Sequence, residues 1–304
     1  MKYDYEVLIV GGGPAGLSAA MTLGRIGRKA LVCDDDRPRN APSIHVNNLP
    51  ALDGIHPVEW RSLVRKNLEK YPTISFFQGA ASSVKKMNHA FDVKLATGTI
   101  VTVKKIILAY GIQDRLPEIE GFKELWGKSV FHCAFCHGYE IRNERLGIIA
   151  NGDVAAHLTP LIYNLSQDLI LFTNGRADLS SEMRELLKKR NILLVEEKIK
   201  KLNRVETQLK SISFESSPDI ERDALFLAPV FPLSLKSSIG TELGCEKNEF
   251  GLYKIGDKGH TSIAGVFAAG ECTQMSSVSI SSASGVLAGT GVVFELANED
   301  FKHS

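Results

Sequence analysis

The strongest constraint on this chain lies at its start. A short apolar run, Val7-Leu8-Ile9-Val10, leads straight into Gly11-Gly12-Gly13-Pro14-Ala15-Gly16. The spacing Gly11-x-Gly13-x-x-Gly16 at a strand-to-helix junction has a physical logic. Gly11 permits the tight turn, Gly13 lets the backbone approach a pyrophosphate, and Gly16 allows the helix to pack closely on the sheet. The helix N-terminus supplies amide donors and a favourable dipole. The triplet alone is a weak signal, but here it stands in a complete context. A small-residue helix follows from Pro14 to about residue 26, then a second strand at Ala30-Leu31-Val32-Cys33, and then an acid, Asp34, about 20 residues on, where a ribose-binding carboxylate belongs. A solvated acidic loop at Asp34-Asp35-Asp36 is the plainer alternative.

The same strand–helix–strand pattern recurs further along. A helix is expected from about residue 57 to 70, a strand at residues 74–78, and antiparallel segments near Val84, at residues 91–95 and at residues 99–103. An apolar strand at residues 105–109 closes this part. After Gly111 a second unit runs from a strand at residues 146–150 through a helix at 153–166 to a strand at 169–173, with an amphipathic helix at about 179–190. The polar stretch 199–214 reads as an exposed hairpin and 223–228 as a last strand. From about Cys245 the chain passes Gly265-Val266-Phe267-Ala268-Ala269 and ends in a small-residue helix from about 278 to 295, expected to return to the first unit.

Composition narrows the partners. Thirty-six basic against 35 acidic residues give a formal charge of +1, with the signs interspersed, so there is no electrostatic footprint for nucleic acid or an anionic membrane. No apolar run approaches the roughly 18 residues of a membrane span. The acidic N-terminal segment is not read as a signal peptide, and the cytoplasm is the expected compartment.

Five cysteines do not make a disulfide framework in such a chain, but Cys133-Ala134-Phe135-Cys136-His137-Gly138 places two thiols three residues apart. That spacing suits thiol–disulfide exchange. A zinc site and a pair of inert core thiols are the alternatives. Zinc ordinarily needs a second ligand pair, and Cys33, Cys245 and Cys272 stand singly, so no metal site is expected. His137, beside Cys136, is either a proton shuttle or an ordinary polar residue.

With the glycine turn, Ala109-Tyr110-Gly111, the cysteine pair and Phe267-Ala268-Ala269-Gly270-Glu271 in that order, the chain resembles the low-molecular-weight thioredoxin reductase family over nearly its whole length. The resemblance implies an α/β fold of two Rossmann-like domains. One is a discontinuous FAD-binding domain, 1–113 with 245–304, and the other is a nicotinamide-type domain, 114–244, that carries the dithiol. It assigns Gly11, Gly13, Pro14, Ala15 and Gly16 to the FAD pyrophosphate turn, Asp34 to the adenosine ribose, Gly111 and Asn48 to the flavin's surroundings, Gly270-Glu271 to the ribityl chain, and Ser279 to a backbone amide near the flavin ring. It also implies a homodimer.

The departures from the family point further. Where the reductases carry a second glycine fingerprint and a basic run for NADPH, this chain has Ala150-Asn151-Gly152-Asp153-Val154-Ala155 and Thr173-Asn174-Gly175, so NADPH binding is doubtful. These features, with His137 in place of the family's Asp, look like the branch that contains the gliotoxin and holomycin dithiol oxidases. That resemblance implies FAD-dependent closure of a disulfide in a small-molecule dithiol, with Cys133 exchanging with substrate, Cys136 facing the flavin and dioxygen or another acceptor taking the electrons. The rival expectations are a disulfide reductase fed by NADPH or another donor such as ferredoxin, acting on a small disulfide or a thioredoxin-like protein, and a non-catalytic redox-sensing flavoprotein.

Overall fold

The computed structural model describes residues 3–303. The chain divides into two units, one comprising Met1–Ala41, Leu49–Asp114 and Phe231–Ser304, the other Pro42–Asn48 and Arg115–Val230. The return to the first unit therefore falls at Phe231, earlier than residue 245. Ser234–Leu235 pairs with Ile112–Gln113, and Ile239 is buried with Leu108 and Tyr253, so these residues belong to the first unit's core.

The first unit is built on parallel strands in the spatial order Ile74–Gln78, Ala30–Asp34, Tyr5–Val10 and Ile100–Leu108, with the antiparallel strands Phe91–Leu95 and Ala81–Lys86 beyond. The two strands expected at 99–103 and 105–109 are one. Its first half pairs with Phe91–Leu95 and its second half with Val266–Ala268. Lys104-Lys105 interrupts the apolar pattern in the sequence, but the strand carries Lys105 into the interior, where Glu295 at 2.7 Å and Glu299 at 2.5 Å pair with it.

Those two acids lie on the C-terminal helix, Val278–His303, which runs past the expected end near 295. Arg28, 2.6 Å from Asp300, helps hold the extra turns. This helix is long and apolar enough by composition to cross a membrane. One of its faces, however, carries Ala288, Val292 and Leu296 into the core shared with the helix Pro14–Arg25. The two helices nearly touch. A Cβ on Gly285 would lie 2.0 Å from the Ala15 carbonyl oxygen, so only glycine fits there.

The second unit has a five-stranded parallel sheet in the order Leu193–Val195, Leu169–Phe172, Leu146–Ile149, Ala224–Leu227 and Val130–Phe131. The hairpin Ile199–Val205 with Gln208–Phe214 forms, but it is not simply exposed. Ile199, Leu202, Leu209, Ile212 and Phe214 pack on Phe122 and Phe172, and only the alternate residues face outward.

Candidate functional site

The first unit's glycine turn is shaped for a ligand. Gly11 has φ +106°, and a Cβ there would meet the Ala109 carbonyl oxygen at 2.5 Å. A Cβ on Gly16 would lie 1.8 Å from the Gly11 oxygen, which is the close helix-to-strand contact expected of the third glycine. At Gly13 nothing lies within 4 Å of the added atom, so the second glycine borders open space. Gly13 is also the N-cap of the helix Pro14–Arg25. No side chain caps this helix and its first turn holds no acid, so its leading amides and dipole are available to an anion.

Asp34 ends its strand against this turn, its carboxylate only 2.5 Å from where a Gly12 Cβ would stand. Arg61 and Arg65, from the helix Pro57–Leu68, donate to Asp34 Oδ2 at 2.7 and 2.6 Å. The Nε atoms of both arginines are buried without a hydrogen-bond partner, so unused donors cluster beside the acid.

Beside the same turn, where a Gly270 Cβ would lie 2.8 Å from Ala15 Cβ, Gly270 (φ +67°) donates its N–H to Ser284 Oγ at 2.8 Å, while Gly111 (φ +71°) donates to Cys272 Sγ at 3.1 Å. Burial pushes the Cys272 thiol up to about 12, so it stays protonated and inert. Glu271 is paired with Arg39, whose Nη2 also meets Asp114 Oδ1 at 2.5 Å and whose Nε meets Oδ2 at 2.9 Å. Burial pushes the Glu271 carboxyl up and Arg39 pulls it back. A carboxylate with one oxygen engaged keeps lone pairs for a hydroxyl. Ser279 lies in the first turn of the C-terminal helix. Asn48 (φ +59°) falls in the Pro42–Asn48 stretch that groups with the second unit, so its expected place beside the flavin remains a matter of the resemblance alone.

The open space at Gly13, the uncapped amides and the orphaned arginine donors together fit a bound dinucleotide such as FAD. The turn would hold its pyrophosphate and Asp34 its ribose.

In the second unit Cys133 and Cys136 form a disulfide, with Cα atoms 5.3 Å apart. Cys133 is the N-cap of the short helix Ala134–His137. Phe135, between the two cysteines, and Tyr139 are each 70% exposed, and the Arg142 guanidinium stands 3.8 Å from the Tyr139 ring. His137 stacks on Phe131 with ring centroids 4.4 Å apart, and its Nε2 lies 3.0 Å from Ser43 Oγ. Asn47 Nδ2 donates to the Cys136 carbonyl at 2.8 Å.

Burial lowers the His137 imidazolium to about 4. The Cys133 carbonyl opposes that shift and the positive charge of His45 adds to it. With the disulfide closed, the ring does not change charge near neutral pH as a shuttle would; it is a neutral imidazole, able to accept a proton.

The second glycine motif is closed by its own residues. Asn151 caps the helix Gly152–Tyr163, its Oδ1 accepting from the N–H groups of Gly152 at 2.9 Å and Asp178 at 2.8 Å, while its Nδ2 donates to the Arg176 carbonyl at 2.9 Å. Asp153 adds an acid to the first turn. Asn174 (φ +52°) is committed to the Ile199 N–H at 2.8 Å.

Arg39, Arg61, Arg65 and Ser43 carry no motif signal, and their roles, like the capping role of Asn151, emerge only in three dimensions. Asn151 alone left a trace in the sequence, as an asparagine at a helix start.

The chain matches known proteins over nearly its full length. Residues 5–285 fit the family model described as pyridine nucleotide-disulphide oxidoreductase, and the chain belongs to that family. It is 32% identical to the thioredoxin reductase aclD of Aspergillus oryzae, over 97% of this chain and 98% of that protein. It is 31% identical to the thioredoxin reductase sirT of Leptosphaeria maculans, over 97% and 95%. The crystal structure of HlmI superposes with a TM-score of 0.92 at 29% identity, covering 98% of this chain and 94% of that one. An oxidoreductase from Agrobacterium tumefaciens gives 0.89 at 30%, covering 98% and 99%. The protein is thus an oxidoreductase of the thioredoxin reductase type, in a flavoprotein family, with two Rossmann-like domains.

Proposed function

We propose that this enzyme oxidises a small-molecule dithiol to a disulfide through Cys133 and Cys136, with FAD as cofactor and dioxygen as electron acceptor, and that it does not use NADPH. The observation that carries this reading is Asn151. Its side chain engages the helix N-terminus at which a nicotinamide dinucleotide's pyrophosphate would bind, and Asp153 adds repulsion. The names of the fungal relatives favour a disulfide reductase instead, and such an enzyme needs either the nucleotide that this turn disfavours or another donor such as ferredoxin.

The electron balance is simple. A substrate thiolate attacks Cys133 Sγ, the Cys133–Cys136 bond breaks, and Cys136 leaves with the electron pair. The second substrate thiol then displaces Cys133, releasing the substrate disulfide. The two protein thiols then carry two electrons and two protons. FAD held at the glycine turn would supply the acceptor for this pair and the route to dioxygen, with hydrogen peroxide as the reduced product. Exposed Phe135 and Tyr139 offer apolar contact area beside the disulfide for a small substrate.

The remaining partners follow the same reading. Ile280, Leu287, Phe294 and Phe301 are exposed at seven-residue intervals along the C-terminal helix, a spacing that suits a helix–helix seam, and we assign the family's homodimer contact to it. Three buried, unpaired cysteines, Cys33, Cys245 and Cys272, suit a reducing compartment such as the cytoplasm.

Anaerobic flavin absorbance tests the proposal. Dithiothreitol is expected to bleach the flavin stoichiometrically, whereas submillimolar NADPH and NADH leave it oxidised. Fast stoichiometric bleaching by NADPH restores the reductase reading. Reversible oxidation of the cysteine pair without multiple turnovers of any dithiol supports a sensor. Cys133→Ser and Cys136→Ser are each expected to abolish multiple turnover, because a lone thiol forms a mixed disulfide that it cannot resolve.

A further inference from the structure

The stretch Pro42–Asn48 groups with the second unit and is tied to the dithiol loop at two points, through Asn47 to the Cys136 carbonyl and through Ser43 to His137. The second tie fixes more than position. Ser43 Oγ lies 2.8 Å from the His45 carbonyl oxygen and 3.0 Å from His137 Nε2. Ser43 has one hydroxyl proton for two neighbours, and the His45 carbonyl, the nearer of them and an acceptor only, has the stronger claim to it. With that proton directed to the His45 carbonyl, the serine oxygen accepts from Nε2, and the ring proton sits there. The other ring nitrogen, Nδ1, is buried without a hydrogen-bond partner and holds the lone pair. Stacking on Phe131, with 17° between the planes, fixes the plane of the ring.

We propose that Ser43 is a positioning residue that locks His137 in its Nε2–H form, so that Nδ1 is the atom that takes the substrate thiol's proton. The inference rests on the dithiol oxidase reading for its chemistry but not for its geometry. In the exchange step the S–H bond of the first substrate thiol breaks, its proton goes to Nδ1, and its sulfur bonds to Cys133 Sγ as Cys136 leaves with the electron pair. The ring so formed carries protons on both nitrogens. Ser43 still accepts from Nε2, and the Cys133 carbonyl favours the new charge. The arrangement assigns to a serine hydroxyl, itself oriented by a backbone carbonyl, the orienting role that a carboxylate plays in a catalytic triad.

Nitrogen-15 spectroscopy of the oxidised, FAD-loaded full chain tests the geometry directly. With labelled histidine, and the His137 signals identified by their loss in His137→Gln, Nε2 is expected to show an N–H-type shift and Nδ1 a lone-pair-type shift at neutral pH. In Ser43→Ala the preference is expected to collapse into a mixture, and anaerobic flavin reduction by dithiothreitol to slow by about tenfold to a hundredfold. Ser43→Thr is expected to restore both. An Nδ1–H form in the wild-type protein overturns the proposal, whatever the variants do. So does a Ser43→Ala protein that keeps the wild-type nitrogen pattern, even if it is slow, because the serine would then act only on structure. A wild-type flavin that dithiothreitol never reduces counts against the function instead, and the nitrogen pattern still decides the role of Ser43.

Discussion

The two units open with the same local architecture, an apolar strand turning into a helix N-terminus, yet their turns have opposite character. At Gly13 the helix is uncapped and non-acidic and faces open space. At Asn151 the equivalent helix is capped by a side chain that also ties down the backbone of Arg176 and Asp178, and an acid follows at Asp153. Orphaned amides at a helix start bind an anion or must be satisfied otherwise. The first turn leaves them to a ligand, whereas the second gives its leading amide, that of Gly152, to Asn151. The same fold element is thus open to an anionic ligand in one unit and tied to its own backbone in the other, and function follows the site rather than the fold.

The largest effect is expected from filling the open turn. Gly13→Val places a branched side chain where the pyrophosphate must approach, so FAD retention after desalting should fall by about a hundredfold or more in affinity. Asn151→Ala, the matching change in the second unit, should leave FAD content unaltered and cost about 1 kcal/mol of stability through the lost cap. Equal FAD loss in both variants would erase the contrast between the turns.

A smaller effect is expected at the histidine beside the cysteine pair. His137→Ala should slow anaerobic flavin reduction by a dithiol by about a hundredfold near neutral pH, the usual scale for a lost general base. The rate should recover in part as rising pH ionises the substrate thiol unaided. Rates that match the wild type across that range would make His137 a bystander.

The same burial has a thermodynamic consequence. In the unfolded chain His137 titrates near 6.5, while in the folded, oxidised protein it titrates at about 4. Between these values the unfolded chain holds a proton that the folded one does not, so this contribution to stability is complete above pH 6.5 and declines as the pH falls toward 4. His137→Gln should therefore lose less Tm than the wild type between pH 7 and 4.5. Parallel curves would show that burial of this ring is not coupled to folding.

The mildest expected change concerns the first unit's outer face. Leu287→Arg should turn a dimer into a monomer by light scattering at micromolar concentration with little loss of FAD, because Leu287 points away from the core that holds Ala288 and Val292. A wild-type monomer would remove the helix seam altogether.

Much of this was legible in the linear chain because it depends on local rules. The spacing of Gly11, Gly13 and Gly16 after an apolar strand, the return of a strand–helix–strand pattern at residue 146, and two cysteines three apart are short-range signatures of geometry and chemistry. Elements whose meaning lies in distant partners were read less well. The strand Ile100–Leu108 looked like two because its halves pair with different neighbours around a lysine that Glu295 and Glu299 neutralise from far along the chain. The return to the first unit looked later than it is because the burial of Ile239 is set by packing. By itself the sequence determined the two nucleotide-type units, the glycine turn and the dithiol, since backbone sterics and residue spacing suffice for these. Only the tertiary structure decided that Asn151 seals the second turn, that two arginines converge on Asp34, and that Ser43 faces the ring of His137. Each of those is a polar group whose partner lies elsewhere in the sequence, and burial gives such a pairing its consequence.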